Sequence, residues 1–238
     1  DLIVTNFSHD YNTLYENGPA GLFTDRSYAT GVAATAGPYL GWGVKLVDFD
    51  NDGRLDIFIS NGHVYPEVDK HGLGTRYQQR KQVFVNEGTR FRHASAEISG
   101  GLLLEKSSRG AAFGDYDNDG DVDVLVINMN DRPTLLRNDT PAANHWITLR
   151  LIGSKSNRDA IGARVRIDAG KRRQTTFVQG DGSYMSHSDT RAHFGLAEAT
   201  RVERIEIKWP SGVVETATGL AADRFYVARE GGGITLLK

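Results

Sequence analysis

One nine-residue pattern occurs twice in this chain and constrains the fold more than any bulk property. Asp48-Phe49-Asp50-Asn51-Asp52-Gly53-Arg54-Leu55-Asp56 and Asp115-Tyr116-Asp117-Asn118-Asp119-Gly120-Asp121-Val122-Asp123 both place aspartate at positions 1, 3, 5 and 9 and glycine at position 6. Four carboxylates on one tight loop repel each other, and a divalent cation removes that penalty. Calcium takes six to eight oxygens at about 2.3–2.6 Å, which alternate carboxylates can supply; magnesium, with its stricter octahedron and retained waters, fits less well. Gly53 and Gly120 allow the sharp turn that a side chain would obstruct. Arg54 and Asp121, which follow the glycines, are expected to offer their backbone carbonyls. Two calcium sites are therefore expected, one on Asp48, Asp50, Asp52, Arg54 and Asp56, the other on Asp115, Asp117, Asp119, Asp121 and Asp123. An EF-hand begins the same way, but it needs a glutamate at position 12, where this chain has Ile59 and Val126, and flanking helices where strands are expected. The alternative is an Asp/Gly-rich hairpin with no metal. Recurrence of the motif in matched context argues against it.

That context is an internal repeat. Asp56-Ile57-Phe58-Ile59-Ser60-Asn61 recurs as Asp123-Val124-Leu125-Val126-Ile127-Asn128, and once more as Asp1-Leu2-Ile3-Val4-Thr5-Asn6. Short apolar runs bounded by turn residues read as buried strands. A second apolar stretch follows each and ends in Asn17, Asn86 or Asn138; after the first two come Phe23 or Phe91 and a serine, Ser27 or Ser95. The middle copy is lengthened by Gly62–Lys81, which reads as a polar surface loop. Units of about four short strands suggest propeller blades or a similar stack. The chain begins at Asp1 without a methionine, so the first copy is expected to be the tail of a unit whose loop has been cut away.

Repetition stops at Asn138, and Asp139–Asn144 reads as a linker, dividing the chain into a repeat region (1–140) and a second domain (141–238). Strands are expected there at His145–Ile152, Ala163–Ala169, Gln174–Gln179, Val202–Trp209 and Phe225–Arg229, separated by glycine-containing turns, and they suggest a small β-sandwich. The expected fold class is all-β, a partial β-propeller-type array followed by that sandwich.

Composition removes several function classes. The chain of 238 residues has no cysteine, which excludes disulfides, cysteine-ligated zinc, iron–sulfur clusters and thiol nucleophiles. A net charge of -2 offers no basic field for nucleic acid. No apolar run approaches the roughly 20 residues of a membrane span.

The strand–loop–strand units resemble FG-GAP (VCBS) repeats, the calcium-binding blades of integrin α-subunit propellers. The second domain is similar to the ASPIC/UnbV domain in Ser156–Ala163, Gly182-Ser183-Tyr184, His193-Phe194-Gly195-Leu196 and Trp209-Pro210-Ser211-Gly212. The two together follow the order found in the cartilage acidic protein family. The resemblance implies calcium ligation by Asp48, Asp50, Asp52 and Asp56 and by Asp115, Asp117, Asp119 and Asp123, a secreted or cell-surface setting, and no established reaction. Such propellers have about seven blades, whereas two whole repeats and part of a third are present here. Upstream blades or another copy of the chain are expected to cover the open strand edges.

Other residues are expected to play quieter parts. His63 and His71, with Glu67 and Asp69, are read as a solvated loop rather than a transition-metal site. Ser183, Ser186, His187 and Asp189 crowd one hairpin, unlike a hydrolase triad drawn from separate segments. Trp146 and Trp209 are expected in the core, and Lys171-Arg172-Arg173 at a solvated hairpin tip. The expected function is a non-enzymatic, calcium-stabilised adhesion or assembly module whose partner is another protein or a second copy. A carbohydrate-binding or accessory part of a larger secreted enzyme, with a glycan as ligand, is the alternative.

Overall fold

A computed structural model describes residues 1–94, 100–141 and 143–237, so Ser95 lies outside the described residues. Up to residue 136 the strands form three antiparallel sheets: β1 (Leu2–Val4), β2 (Thr13–Asn17) and β3 (Phe23–Asp25); β4 (Gly41–Val47), β5 (Asp56–Asn61), β6 (Gln82–Asn86) and β7 (Phe91–His93); and β8 (Ser108–Gly114), β9 (Asp123–Asn128) and β10 (Thr134–Leu136). The sheets stack face to face in an open array. Ile57, Ile59 and Phe84 of the middle sheet meet Leu14 and Ile3 of the first, while Phe58, Val83 and Val47 meet Ala111, Phe113, Val124 and Val126 of the third.

Position in the stack decides how much of each repeated strand is buried. Every residue of β5 is buried, because alternate side chains enter the two cores on either side. In β9 only one face is covered, leaving Leu125 42% and Ile127 47% exposed. In β1 it is the opposite face that stays open, at Leu2 and Val4.

The polar residues that bound the repeated strand have fixed jobs. The aspartate that opens it accepts the backbone N–H of the asparagine ending the next strand in all three copies: Asp1 from Asn17 (2.9 Å), Asp56 from Asn86 (2.8 Å) and Asp123 from Asn138 (2.8 Å). The asparagine that closes it donates through Nδ2 to a carbonyl just ahead of that next strand, from Asn6 to Tyr11 (2.6 Å), from Asn61 to Arg80 (2.8 Å) and from Asn128 to Arg132 (2.8 Å). The middle repeat keeps this bond across its insertion. Gly62–Lys81 is only partly the expected surface loop. Much of it is exposed, but His63, Val68, Thr75, Gln79 and Lys81 are buried.

Beyond residue 144, β11 (His145–Ile152), β12 (Arg164–Ala169), β13 (Arg172–Phe177), β14 (Ala192–Ala197), β15 (Arg201–Lys208), β16 (Val214–Ala221), β17 (Arg224–Arg229) and β18 (Gly233–Leu236) form two four-stranded sheets. Their orders are β14-β11-β17-β18 and β13-β12-β15-β16, with β11 and β17 parallel. They enclose one core of Ile147, Leu149, Val165, Ile167, Phe194, Ile205, Ile207 and Trp209, which makes a sandwich. Trp209 is buried as expected, its indole N–H donating to Glu215 Oε2 at 2.8 Å. Trp146 is not a core residue. It stacks on His193 and packs at a tilt against Phe225 at the surface that faces the repeats.

Glu230 fastens the far end of the sandwich. Its Oε2 accepts the backbone N–H groups of Ser154, Lys155 and Ser156, each at 2.8 Å, and its Oε1 accepts the hydroxyls of Ser156 and Ser211. Burial works to raise its pKa, but these donors outweigh it and hold the carboxyl at about 2, below the usual 4.5. Because the folded pKa is depressed, the stabilisation is complete above about pH 4.5 and disappears as the pH falls toward 2. Urea midpoints across that range should fall with acidification in the wild type and change less in Glu230→Gln, which should start lower at neutral pH.

Candidate metal centre

The two aspartate-rich segments are the hairpin loops joining β4 to β5 and β8 to β9. Both turn through a pair of left-handed residues, Asn51 (φ 58°) and Gly53 (φ 80°) in the first, Asn118 (φ 60°) and Gly120 (φ 100°) in the second. Glycine carries no penalty there, and asparagine is among the few side chains that tolerate the region.

The same bonds form in both loops. Asp48 accepts the N–H groups of Asp52 (3.1 Å) and Gly53 (2.8 Å), and Asp115 those of Asp119 (3.2 Å) and Gly120 (3.0 Å). Asp56 accepts from Phe49 (3.2 Å) and Asp123 from Tyr116 (3.1 Å). These bonds bring position 1 against position 9, with position 3 beside them. Carboxylate oxygens of Asp48, Asp50 and Asp56 lie within 4.8 Å of one another, as do those of Asp115, Asp117 and Asp123. Ligands on opposite sides of a calcium ion are about 4.6–5.2 Å apart, so both groups have the spread of a cation site. Each can hold a metal ion.

Positions 5 and 7 are placed differently from the first three. Asp52 turns toward the backbone, accepting Arg54 N–H at 2.8 Å and pairing with the Arg54 guanidinium. Asp119 likewise accepts Asp121 N–H at 2.9 Å. Arg54 donates through Nε to the Asn86 carbonyl (2.7 Å), and Asp121 accepts Asn51 Nδ2 at 2.9 Å.

Without a cation the charge balance is poor. Burial, reinforced by the neighbouring aspartates, pushes Asp48 up to about 8, and burial pushes Asp56 up to about 7 despite two backbone donors. In the second loop burial and Asp119 raise Asp121 to about 6, and burial also lifts Asp115 and Asp123.

The sandwich is docked directly on these loops, which the local sequence gave no means of seeing. Asn51 Nδ2 donates to Gly120 O (3.2 Å) and Asp121 Oδ1, which fixes the amide so that its Oδ1 faces His193 Nε2 at 2.8 Å. Burial of the ring, chiefly, holds the His193 pKa at about 4, so it is neutral; Nε2–H donates to Asn51, and Nδ1 accepts from Thr148 Oγ1 at 2.8 Å. Asn144 Nδ2 donates to Asp50 O (2.8 Å), Ala197 N–H to Asn51 O (2.9 Å), and Arg172 Nη1 to Asp52 O. Arg172 is thus a docking residue and not the solvated hairpin tip expected of it. At the second loop Arg191 reaches Asn118 Oδ1 (2.7 Å) and Asp115 O, and Trp146 covers Gly120 so closely that a Cβ there would overlap the indole. Of the hairpin polar group, Asp189 N–H donates to Phe113 O at 2.8 Å, and its neighbour Ser188 accepts Phe113 N–H through Oγ at 3.2 Å, so this hairpin also docks on the repeats.

An all-β chain with acidic hairpin loops within two of its stacked sheets, and a sandwich docked on those loops, defines a repeat-plus-sandwich protein. Residues 1–59 match the FG-GAP-like repeat family, and residues 153–235 match the ASPIC and UnbV family. The first acidic loop lies within the matched stretch and the second outside it. Cartilage acidic protein 1 of Mus musculus is 27% identical over an alignment covering 83% of this chain and 39% of its own length. The Homo sapiens protein is 27% identical (83% and 38%), and that of Xenopus tropicalis 26% (86% and 39%). The chain therefore spans about two-fifths of the length of the curated relatives it matches.

The raised carboxylates give a prediction with a definite sign. A group whose folded pKa lies above its unfolded value favours the fold at low pH, and that contribution is lost as the pH rises through the folded pKa. For Asp48 this window runs from about 4 to about 8. In chelator, thermal melts should show Asp48→Asn equal to or more stable than wild type at pH 8, with the difference gone at pH 4. With a divalent cation present, wild type should be the more stable at pH 8.

Proposed function

We propose that this chain is a non-enzymatic, calcium-stabilised adhesion or assembly module that works outside the cell. The observation that carries the proposal is the convergence of three carboxylates in each loop, built twice by the same bonds. Calcium suits these sites for its long bonds and its tolerance of irregular oxygen sets, and further oxygens can come from Asp52, Asp119, the carbonyls of Arg54 and Asp121, and water. Extracellular modules bind calcium with Kd of about 10⁻⁴–10⁻³ M, matching an extracellular supply. At tenfold that concentration each site adds roughly 1.4 kcal/mol to the fold by mass action.

A partner is proposed at the ends of the stack. Leu2 and Val4 on the first sheet, and Leu125, Ile127 and Leu135 on the third, are apolar and exposed, whereas their counterparts on the middle sheet are covered by a neighbouring sheet. A further blade, a second copy of the chain or another protein would bury them, by face packing more than by pairing of strand edges. Kinship in sequence to cartilage acidic protein 1 is consistent with this class of function.

Thermal unfolding of the metal-stripped protein tests the proposal. Millimolar calcium should raise the melting temperature by several degrees, equal magnesium by much less, and Asp50→Asn together with Asp117→Asn should abolish the rise. An equal response to both ions would argue against calcium, and no response to either would argue against a structural cation. A glycan array probed with and without calcium separates the module from a carbohydrate-binding accessory domain.

A further inference from the structure

The sandwich holds the first acidic loop by its three central carbonyls, those of Asp50, Asn51 and Asp52, through Asn144, Ala197 and Arg172. These consecutive carbonyls face outward while the side chains of Asp48, Asp50 and Asp56 converge inward. Strand β14 passes so close that a Cβ at Gly195 would overlap both Asp48 Oδ2 and the Asn51 backbone. The sandwich therefore touches the loop both at its central carbonyls and beside the Asp48 carboxylate, and a single backbone conformation must serve the cation group and the docking face.

The geometry points to the first acidic loop as a cation-dependent latch, the docking surface through which ion binding in the repeats sets the attachment of the C-terminal sandwich. The inference rests on the cation reading of the loops and goes beyond it. Ion ligation fixes Asp48, Asp50 and Asp56 and so aligns the three carbonyls with their donors. When the ion leaves, the carboxylates must separate or take up protons, and the carbonyls lose that alignment. The second loop is tied into the same latch, because Asn51 Nδ2 donates to Gly120 O and to Asp121 Oδ1. The sandwich core does not depend on the loop, since its two sheets close on each other through Ile147, Ile167, Phe194 and Ile205. Ion removal should therefore loosen the docking face and leave the interior of the sandwich intact.

Amide hydrogen exchange of the whole chain, followed by NMR in chelator and in saturating calcium, reads the latch directly. The Ala197 amide, which donates to Asn51 O, should exchange at least tenfold more slowly with calcium, while Ile167 and Ile205 inside the sandwich change little. The double variant Asn144→Ala, Arg172→Ala removes two docking donors without touching a carboxylate. In calorimetric titration it should still bind two calcium ions, and the calcium-induced slowing at Ala197 should shrink several-fold. If wild type binds two ions and Ala197 exchange does not change, the latch is overturned and the cation sites stand. Full slowing in the double variant would also overturn the latch. Absence of bound calcium in the titration would overturn both the latch and the cation sites.

Discussion

Aspartate carboxylates crowd together where two sheets and the sandwich meet, and the rest of the structure is arranged around the need to neutralise them. Burial, with the neighbouring aspartates adding to it, pushes the pKa of Asp56 to about 7 and of Asp48 to about 8, far above the usual carboxylate value. The loop donates backbone N–H groups to them, but amides soften repulsion without cancelling net charge. Among the described residues the first loop has Arg54 and Arg172 beside it, and both are engaged on its outer side, with Asp52, Asn86 O and Asp52 O. A divalent cation at the convergence point would supply the missing charge where the carboxylates meet.

From that point the architecture follows outward in both directions. Toward the sheets, Asp56 and Asp123 serve at once as loop position 9 and as the aspartate that pins the following strand through Asn86 or Asn138. One side chain thus links the candidate metal group to the register of three strands. Asp1 makes the same bond to Asn17, so the pinning role exists in a copy where no complete loop is present. Toward the sandwich, the loop backbone is the docking surface, with the Asn51 amide bonded to both acidic loops and facing the His193 ring. Electrostatics sets the arrangement, and the two apolar cores between the sheets make it cohere.

The features legible in the sequence were the local ones. Aspartate and glycine spacing located both loops, and the repeated Asp-to-Asn string located the strands, because hairpin ligands and the strands they join are adjacent in the chain. Strands β11, β12, β13, β15 and β17 were visible as apolar or alternating runs. Strand β14 was seen only as a family motif. Strands β16 and β18 were missed because Val214–Ala221 mixes threonine, alanine and glycine, and Gly233–Leu236 is short and mostly exposed. The docking contacts were out of reach for a different reason. His193 meets Asn51 across 142 positions and Arg172 meets Asp52 across 120, and nothing local marks either residue. Trp146 looked like a core tryptophan because it alternates correctly within β11, yet the face it occupies is covered by the repeats and not by the opposite sheet. Asn51, at loop position 4, carries the contact to both neighbours from a left-handed turn.

Calcium at the two acidic loops is the central claim, and anomalous scattering from crystals grown in calcium tests it most directly. Two anomalous peaks per chain are expected, each about 2.3–2.6 Å from oxygens of Asp48, Asp50 and Asp56 or of Asp115, Asp117 and Asp123. Loops that keep the same fold at millimolar calcium with no anomalous peak between their carboxylates would contradict it, and the aspartates would then be turn residues that hold backbone amides and nothing more.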